Sequence, residues 1–302
     1  MKNNLTKEEI AESTMVIRLP NWIGDTLMTF PMLLALEKTG IDFICLGHPW
    51  TKDLFSGTNI KIVVSPNVKN MKWCYDFYKT HKFQYGLICP NTLSTVLPMR
   101  CAKIKTIGYH FLTKIRLKLN NDIHTVENYF DLVRRFLNKN IKATDYSNKI
   151  PLNKNSIAEG KEIITNKIKS KYIVICPYAT NLHKGKNKEW PYWNDFCLKY
   201  KDTKIVALVA KNDFNRCKKE FPNILVISEK LSVSAYIMIK ANFVLANDSG
   251  AMHLASFFGA KVIGLFGATE IVKTRPWYGD YKTGLGDSFI TVKDLLKELL
   301  KL

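Results

Sequence analysis

The turn over residues 247–250, Asn-Asp-Ser-Gly, has residue types and spacing suited to binding a charged ligand. An apolar run precedes it and apolar residues at helical spacing follow it, which predicts a strand, a tight turn and a helix. The free N–H groups and positive dipole end of a helix start suit a phosphate. Gly250 permits close backbone approach, and His253 lies about one turn further on. The alternative is that Asp248 and Ser249 only cap the helix and His253 only packs.

A second turn, Pro-Asn-Trp-Ile-Gly-Asp over residues 20–25, follows the apolar run 15–19 and precedes a predicted amphipathic helix over 26–38. Gly24 frees the backbone, and Asp25 stands at the predicted helix start, where the dipole favours an ionised carboxylate. A carboxylate at the mouth of a sheet could accept a proton from an attacking hydroxyl. A plain N-cap aspartate is the alternative.

Alternating apolar runs and helical patterns position these turns, and they predict an α/β fold with parallel, doubly wound sheets. The predicted strands cover 15–19, 42–46, 61–64, 85–89, 105–108, 171–176, 204–210, 243–246 and 262–266. A segment rich in Asn, Lys and Ser over 138–156 lacks periodicity and suits an interdomain connection. We therefore predict two domains, 1–150 and 151–302.

Composition narrows the class of protein. The 302 residues are 46% hydrophobic, yet no apolar run approaches the roughly 20 residues of a membrane span. The first thirteen residues are polar and resemble no signal peptide, so we expect a cytoplasmic protein. The seven cysteines are scattered without a Cys-x-x-Cys pair, and the six histidines show no metal-ligand spacing. This pattern predicts reduced core thiols and no metal site.

The net charge of +19, from 45 Lys+Arg against 26 Asp+Glu, favours anionic partners. Nucleic acid, an anionic membrane surface and a phosphorylated glycolipid all qualify. No nucleic-acid-binding signature is present, so we expect no nucleic acid partner. A general bias toward Lys and Asn, spread over solvated faces, is the alternative explanation.

Asn-Asp-Ser-Gly-Ala-Met-His-Leu-Ala, followed by Gly-Leu-Phe-Gly-Ala-Thr, resembles the donor motif of glycosyltransferase family 9, the ADP-heptose:lipopolysaccharide heptosyltransferases. The segment from Asn21 also resembles the N-W-(V/I)-G-D-x-(V/L)-M motif of the heptosyltransferase II branch, whose aspartate is the proposed catalytic base. The resemblance therefore makes Asp25 the catalytic candidate. It implies donor binding by Asp248, Ser249, Gly250, His253 and Thr269, and acceptor binding by Asn21, Trp22 and Gly24.

Four further segments resemble family motifs. Residues 90–94, Pro-Asn-Thr-Leu-Ser, resemble an acceptor-facing turn, which makes Asn91, Thr92 and Ser94 acceptor candidates, with Arg100 in the basic stretch that follows. Residues 124–130 resemble the H-x-(V/A)-E-x-Y element, in which His124 either faces the ligand or starts a helix. Residues 188–191, Lys-Glu-Trp-Pro, resemble the K-x-W-P motif, which implies that Lys188 is the phosphate-binding lysine and that Thr180 matches the hydroxyl residue before it. The turn over residues 211–213 lies where the family has an acidic residue that contacts adenosine, so the resemblance makes Asp213 a further donor-binding candidate.

The resemblance implies a GT-B fold, in which two Rossmann-like domains face each other across a cleft and the last helix crosses back. It implies an inverting, metal-independent transfer of heptose from ADP-L-glycero-D-manno-heptose to the inner core of lipopolysaccharide, with no cofactor. The expected partners are the nucleotide-sugar donor, a lipopolysaccharide or lipid-linked glycan acceptor, and the anionic inner membrane in a peripheral contact. A family member with another donor or acceptor, and a non-catalytic polyanion-binding protein, are the alternatives.

Overall fold

The structure is a computed structural model that describes residues 15–179, 187–267, 269–284 and 288–301. The chain divides into two compact units, Met1–Ile150 and Pro151–Leu302. Each unit contains one six-stranded sheet whose paired strands are all parallel. Within the described ranges, no helix is both long and apolar enough to cross a membrane.

Unit 1 alternates strands and helices along the chain. Its elements are β1 (Met15–Arg18), α1 (Ile23–Met28), α2 (Phe30–Glu37), β2 (Phe43–Gly47), α3 (Trp50–Leu54), β3 (Ile62–Val64), α4 (Met71–His81), β4 (Tyr85–Ile88), α5 (Leu93–Cys101), β5 (Lys105–Gly108), β6 (Ile115–Arg116) and α6 (Thr125–Leu137), followed by a 3₁₀ turn at Ala143–Tyr146. The strand order is β3-β2-β1-β4-β5-β6. The central strand β1 is buried along its whole length, as expected for a parallel strand covered on both faces.

Unit 2 repeats the pattern. Its elements are α7 (Lys154–Ile163), a π-helix (Ile164–Ile168), β7 (Tyr172–Cys176), α8 (Trp193–Lys199), β8 (Lys204–Leu208), a 3₁₀ turn (Lys211–Asp213), α9 (Phe214–Glu220), β9 (Leu225–Ile227), α10 (Leu231–Lys240), β10 (Val244–Asn247), α11 (Gly250–Phe258), β11 (Val262–Leu265), α12 (Ile271–Thr274), β12 (Asp280–Lys282) and α13 (Val292–Leu299). The order β12-β11-β10-β7-β8-β9 places β10 and β7 side by side at the centre.

The predicted doubly wound α/β class is confirmed, and so are the nine predicted strands, apart from end residues. Strands β6, β9 and β12 were not predicted from the sequence. They are two or three residues long, and all three are edge strands. β6 and β12 are also partly polar, so none of the three provides a long apolar run.

The predicted helix over 26–38 differs in its start and its continuity. It begins at Ile23, with Trp22 at the N-cap, so Asp25 lies in the first turn rather than before it. The helix is then interrupted at Thr29, whose hydroxyl donates to the Thr26 carbonyl over 2.7 Å. Pro31 follows in the first turn of α2, where its missing N–H costs nothing.

Candidate functional site

The carboxyl end of β10 carries a largely buried ion pair. Lys188 Nζ lies 3.0 Å from Asp248 Oδ2, and the Asp248 side chain is only 5% exposed. The Lys188 side chain is 17% exposed, so the pair is largely shielded from solvent. The sequence predicted both as donor-binding residues, and the structure adds that they contact each other.

Asn247, the last residue of β10, fixes the segment that carries Lys188. Its Oδ1 accepts hydrogen bonds from the Trp190 backbone N–H over 2.9 Å and from Trp193 Nε1 over 3.3 Å. Trp190 Nε1 in turn donates to the Ile290 carbonyl over 2.8 Å. Sequence reasoning missed this role of Asn247, although an amide that ends an apolar strand was a usable signal.

Ser249 is the N-cap of α11, yet its side chain makes no capping hydrogen bond. Its backbone is extended, and its hydroxyl is shielded from solvent without a hydrogen-bond partner among the described residues. The Thr269 hydroxyl is in the same condition. Because buried hydroxyls normally find a partner, these two groups indicate a place for a polar ligand atom. The side chains of Asp248 and Ser249 therefore do not cap α11.

The other predicted donor residues of unit 2 occupy three different settings. Gly250 begins α11, and His253 one turn later is buried, at 3% exposure. Asp213 ends the 3₁₀ turn after β8 and is partly exposed. It lies at the same end of the sheet as the β10 turn, because the carboxyl ends of parallel strands lie at one end of the sheet. Thr180 lies outside the described residues.

A second polar cluster follows β7 and is centred on Tyr178. The Tyr178 hydroxyl donates to Glu220 Oε2 over 2.7 Å, and Arg216 stacks 4.1 Å from the Tyr178 ring centroid. Arg216 also pairs with Glu189 at 3.0 Å and with Glu220 at 2.9 Å. Burial and the Glu220 hydrogen bond raise the pKa of Tyr178. Despite the opposing effect of burial, the bonds from Tyr178 and Arg216 lower the pKa of Glu220.

In unit 1, Asp25 lies in the first turn of α1 and is partly exposed. The Tyr129 hydroxyl, on α6, donates to Asp25 Oδ1 over 3.3 Å. Burial, and then the nearby Asp25 charge, raise the pKa of Tyr129, so the phenol remains a neutral donor. Tyr129 belongs to the H-x-(V/A)-E-x-Y segment, but the sequence alone did not assign it a role.

The turn before α1 rests on a fully buried arginine. Arg18 donates through Nη2 to Asn21 Oδ1 over 2.6 Å and to the Val68 carbonyl over 3.1 Å, and through Nη1 to the Leu19 carbonyl. Burial lowers the pKa of Arg18. Asn21 therefore holds the turn through Arg18, Gly24 is buried within it, and Trp22 is 53% exposed at its tip.

The turn after β4 lies beside the β1 turn, because the two strands are parallel neighbours. There the Thr92 hydroxyl contacts Ser94 Oγ at 3.3 Å and Thr95 Oγ1 at 3.0 Å, next to the exposed Asn91. Arg100 is not part of this group. It lies seven residues into α5, about 10 Å further along at 1.5 Å per residue, and donates to the Leu112 carbonyl over 2.9 Å.

His124 is buried at the N-cap of α6, where its Nδ1 accepts from the Val126 N–H over 3.1 Å. This contact agrees with the alternative in which His124 starts a helix. Among the residues that the structure describes, no group of three or more His, Cys, Asp or Glu side chains could hold a metal ion.

Comparison with known proteins places these features in a family. The family model "Glycosyltransferase family 9 (heptosyltransferase)" matches residues 81–289. Lipooligosaccharide heptosyltransferase 2 of Campylobacter jejuni subsp. jejuni serotype O:2 is 24% identical over 286 residues, covering 87% of this chain and 84% of the relative.

Two solved Escherichia coli structures share the fold. ADP-heptose LPS heptosyltransferase II superposes with a TM-score of 0.76 at 15% identity, covering 95% of this chain and 98% of its own. Heptosyltransferase WaaC with ADP gives 0.71 at 17% identity, covering 95% and 99%. The α/β architecture is thus the GT-B fold, and the family match includes the second part of unit 1 and most of unit 2. The chain belongs to glycosyltransferase family 9 and is a glycosyltransferase.

Proposed function

We propose that the protein transfers heptose from ADP-L-glycero-D-manno-heptose to a sugar of the inner core of lipopolysaccharide. The similarity to a lipooligosaccharide heptosyltransferase 2 and to heptosyltransferase II supports this donor and acceptor class. The observation that carries the proposal is the β10 turn, where the Lys188–Asp248 pair adjoins the unpartnered Ser249 hydroxyl at the start of α11.

The donor diphosphate binds at this turn. The N–H groups at the start of α11 and the Ser249 hydroxyl donate to phosphate oxygens, while Lys188 supplies a positive charge. Asp248 keeps the ammonium at the end of β10. Negative charge grows on the diphosphate as it leaves, so these groups stabilise the transition state more than the bound donor.

Asp25 is the general base. It accepts the proton of the acceptor hydroxyl as that oxygen forms a bond to the anomeric carbon of the heptose. The bond from the anomeric carbon to the phosphate oxygen breaks, its electron pair leaves with ADP, and the anomeric configuration inverts. The turn over Asn91, Thr92 and Ser94 and the exposed Trp22 ring bind the acceptor sugar. No metal takes part in this mechanism.

A lipid-linked acceptor and the net charge of +19 support a location at the cytoplasmic face of the inner membrane, in peripheral contact with it.

Thermal stability in the presence of ADP, UDP, GDP and ADP-heptose, in buffer with a chelator, tests the donor assignment. A ligand that binds only the native state raises the melting temperature. We expect a shift for ADP and ADP-heptose and none for UDP or GDP. A shift for UDP or GDP alone would instead favour a family member with another donor.

Transfer is tested separately with ADP-heptose and purified heptose-deficient lipopolysaccharide. The α product expected from a β-linked donor would support inversion, and retention would contradict it. Asp25→Asn should bind ADP-heptose normally and lose turnover by at least about 100-fold, the usual contribution of a positioned general base. Near-wild-type turnover in that variant would exclude Asp25 as the base.

A further inference from the structure

Unit 2 contains a cavity of about 390 Å³ at the end of the sheet where its strands begin, opposite the β10 turn. Its lining includes Tyr172, the first residue of β7, and Asn242, just before β10, whereas Asp248 and Ser249 follow the carboxyl end of β10. Because the strands are parallel, the cavity lies at their amino ends. It is therefore separate from the donor residues.

Three lysines from three elements line this cavity: Lys161 on α7, Lys171 before β7, and Lys240 at the end of α10. The lining includes no Asp or Glu. Within the described part of the chain, none of the three lysines forms an ion pair, although other lysines of this unit do, such as Lys230 with Glu159. The cavity lining thus carries three lysines that pair with no described carboxylate, and Lys240 Nζ lies 5.7 Å from the centroid of the Tyr236 ring.

Neutral hydrogen-bonding groups accompany the charges. Thr165, Tyr236 and Asn242 line the same cavity, and neither the two hydroxyls nor the Asn242 side-chain amide forms a hydrogen bond with another described residue. Hydroxyl and amide N–H groups are the usual companions of lysine around a phosphate. The cavity therefore offers an oxyanion both positive charge and hydrogen-bond donors.

The walls of the cavity are held by contacts between elements. Ser156 Oγ on α7 lies 2.7 Å from Ser232 Oγ on α10, and both are buried. Gly160 lies so close to the Tyr236 ring that an added Cβ would approach it to 2.5 Å. The Tyr172 hydroxyl donates to the Ile237 carbonyl over 2.7 Å, which ties β7 to α10. The elements that carry or adjoin the three lysines are thus tied to one another.

We propose that this cavity binds a phosphate monoester, with Lys161, Lys171 and Lys240 around the phosphate. Its volume falls within the range of small-molecule sites and greatly exceeds the roughly 30 Å³ of one water, so it has room for a phosphate with an attached organic group. A soluble phosphorylated sugar and a lipid headgroup share this chemistry. The proposal does not depend on the identity of the donor or acceptor sugar.

Hydrogen–deuterium exchange of the full chain locates the ligand, using glucose 6-phosphate as the soluble probe and glucose as its neutral counterpart. In parallel, phosphatidylcholine vesicles with and without phosphatidic acid present the lipid form. We expect one phosphate probe to slow exchange in peptides covering 161–172 and 236–242, and glucose to have no effect. Slowing confined to peptides covering 247–253, or none, would overturn the proposal.

Two matched triple variants distinguish binding in the cavity from nonspecific electrostatic attraction. K161Q/K171Q/K240Q should weaken binding of the active probe at least tenfold. K201Q/K219Q/K293Q removes the same charge from exposed lysines of the same unit that lie outside the cavity. This control should leave binding of the probe nearly unchanged. Equal losses in both variants would show nonspecific attraction and refute the site. Melting temperatures of both variants verify that they fold.

Discussion

The Tyr129 hydroxyl donates a hydrogen bond to Asp25 Oδ1 over 3.3 Å, although 104 positions separate the two residues. The contact depends on α6, which packs against α1 and α2. Asn128, next to Tyr129, is buried and holds the preceding loop, since its Oδ1 accepts from the Asn120 N–H over 3.0 Å and its Nδ2 donates to the Asn120 carbonyl over 2.8 Å. Tyr129 is thus a positioning residue for the proposed base.

Tyr129→Phe removes only the hydroxyl. Donation to the charged carboxylate favours that charged form, so its loss should move the acidic limb of the kcat/KM profile toward higher pH. We expect kcat to fall about 10- to 160-fold, the equivalent of roughly 1.5–3 kcal/mol for one hydrogen bond to a charged group. The KM for ADP-heptose should not change. The measurement is a pH–rate profile of both proteins.

Tyr75→Phe is the matched control, because Tyr75 is a partly exposed tyrosine of α4 in the same unit. It should leave the profile unchanged. An identical profile for Tyr129→Phe and wild type would mean that the bond does not affect the base.

Replacement of Lys188 tests the buried pair at the β10 turn. Lys188→Met leaves the Asp248 carboxylate at 5% exposure without its ammonium partner, so the free energy of unfolding should fall by about 3 kcal/mol. Lys188→Met/Asp248→Asn should regain most of that stability, because no unpaired charge remains. Neither variant should bind ADP well. Urea unfolding and ADP titration measure the two effects, and recovery of ADP affinity in the double variant would show that Lys188 serves only to neutralise Asp248.

Asn247→Ala tests the support of the Lys188 segment. The buried Trp190 and Trp193 N–H groups lose their acceptor, which should lower the free energy of unfolding by about 1–3 kcal/mol. Asn187→Ala, at an exposed asparagine whose Oδ1 accepts from the Glu189 N–H, should change it by no more than about 0.5 kcal/mol. Chemical denaturation compares the two. Equal stabilities would mean that Trp190 and Trp193 find other acceptors.

Thiol labelling tests the predicted reduced core cysteines. Cys101 is exposed, whereas Cys45, Cys74, Cys89, Cys176 and Cys217 are buried. Burial raises the pKa of Cys176 and of Cys197 to about 12, so they stay thiols at pH 8. Iodoacetamide should first modify Cys101 in the native protein, and all seven cysteines after unfolding. Mass spectrometry of the digest locates the label, and Cys101→Ser should abolish the fast phase. Fast labelling of Cys45 would contradict its burial.

The sequence alone determined the class of fold and the two turns that carry the candidate chemistry. Buried parallel strands produce continuous apolar runs, and β1, β7 and β10 stand out for that reason. The Asp25 and Asp248 turns follow two of these strands, so local pattern was enough to find them. Short edge strands such as β12 carry too little pattern, and they emerged only in the structure.

The tertiary structure decided which side chains meet. Asn247 binds the Trp190 segment, Lys188 binds Asp248, and Tyr129 binds Asp25, across 57, 60 and 104 positions of the chain. Residue type and spacing describe only near neighbours, whereas these contacts depend on strand order and helix packing. The lysine cavity arises in the same way, since Lys161, Lys171 and Lys240 come together only when α7, β7 and α10 pack. Local sequence therefore located the turns, and folding assembled their partners.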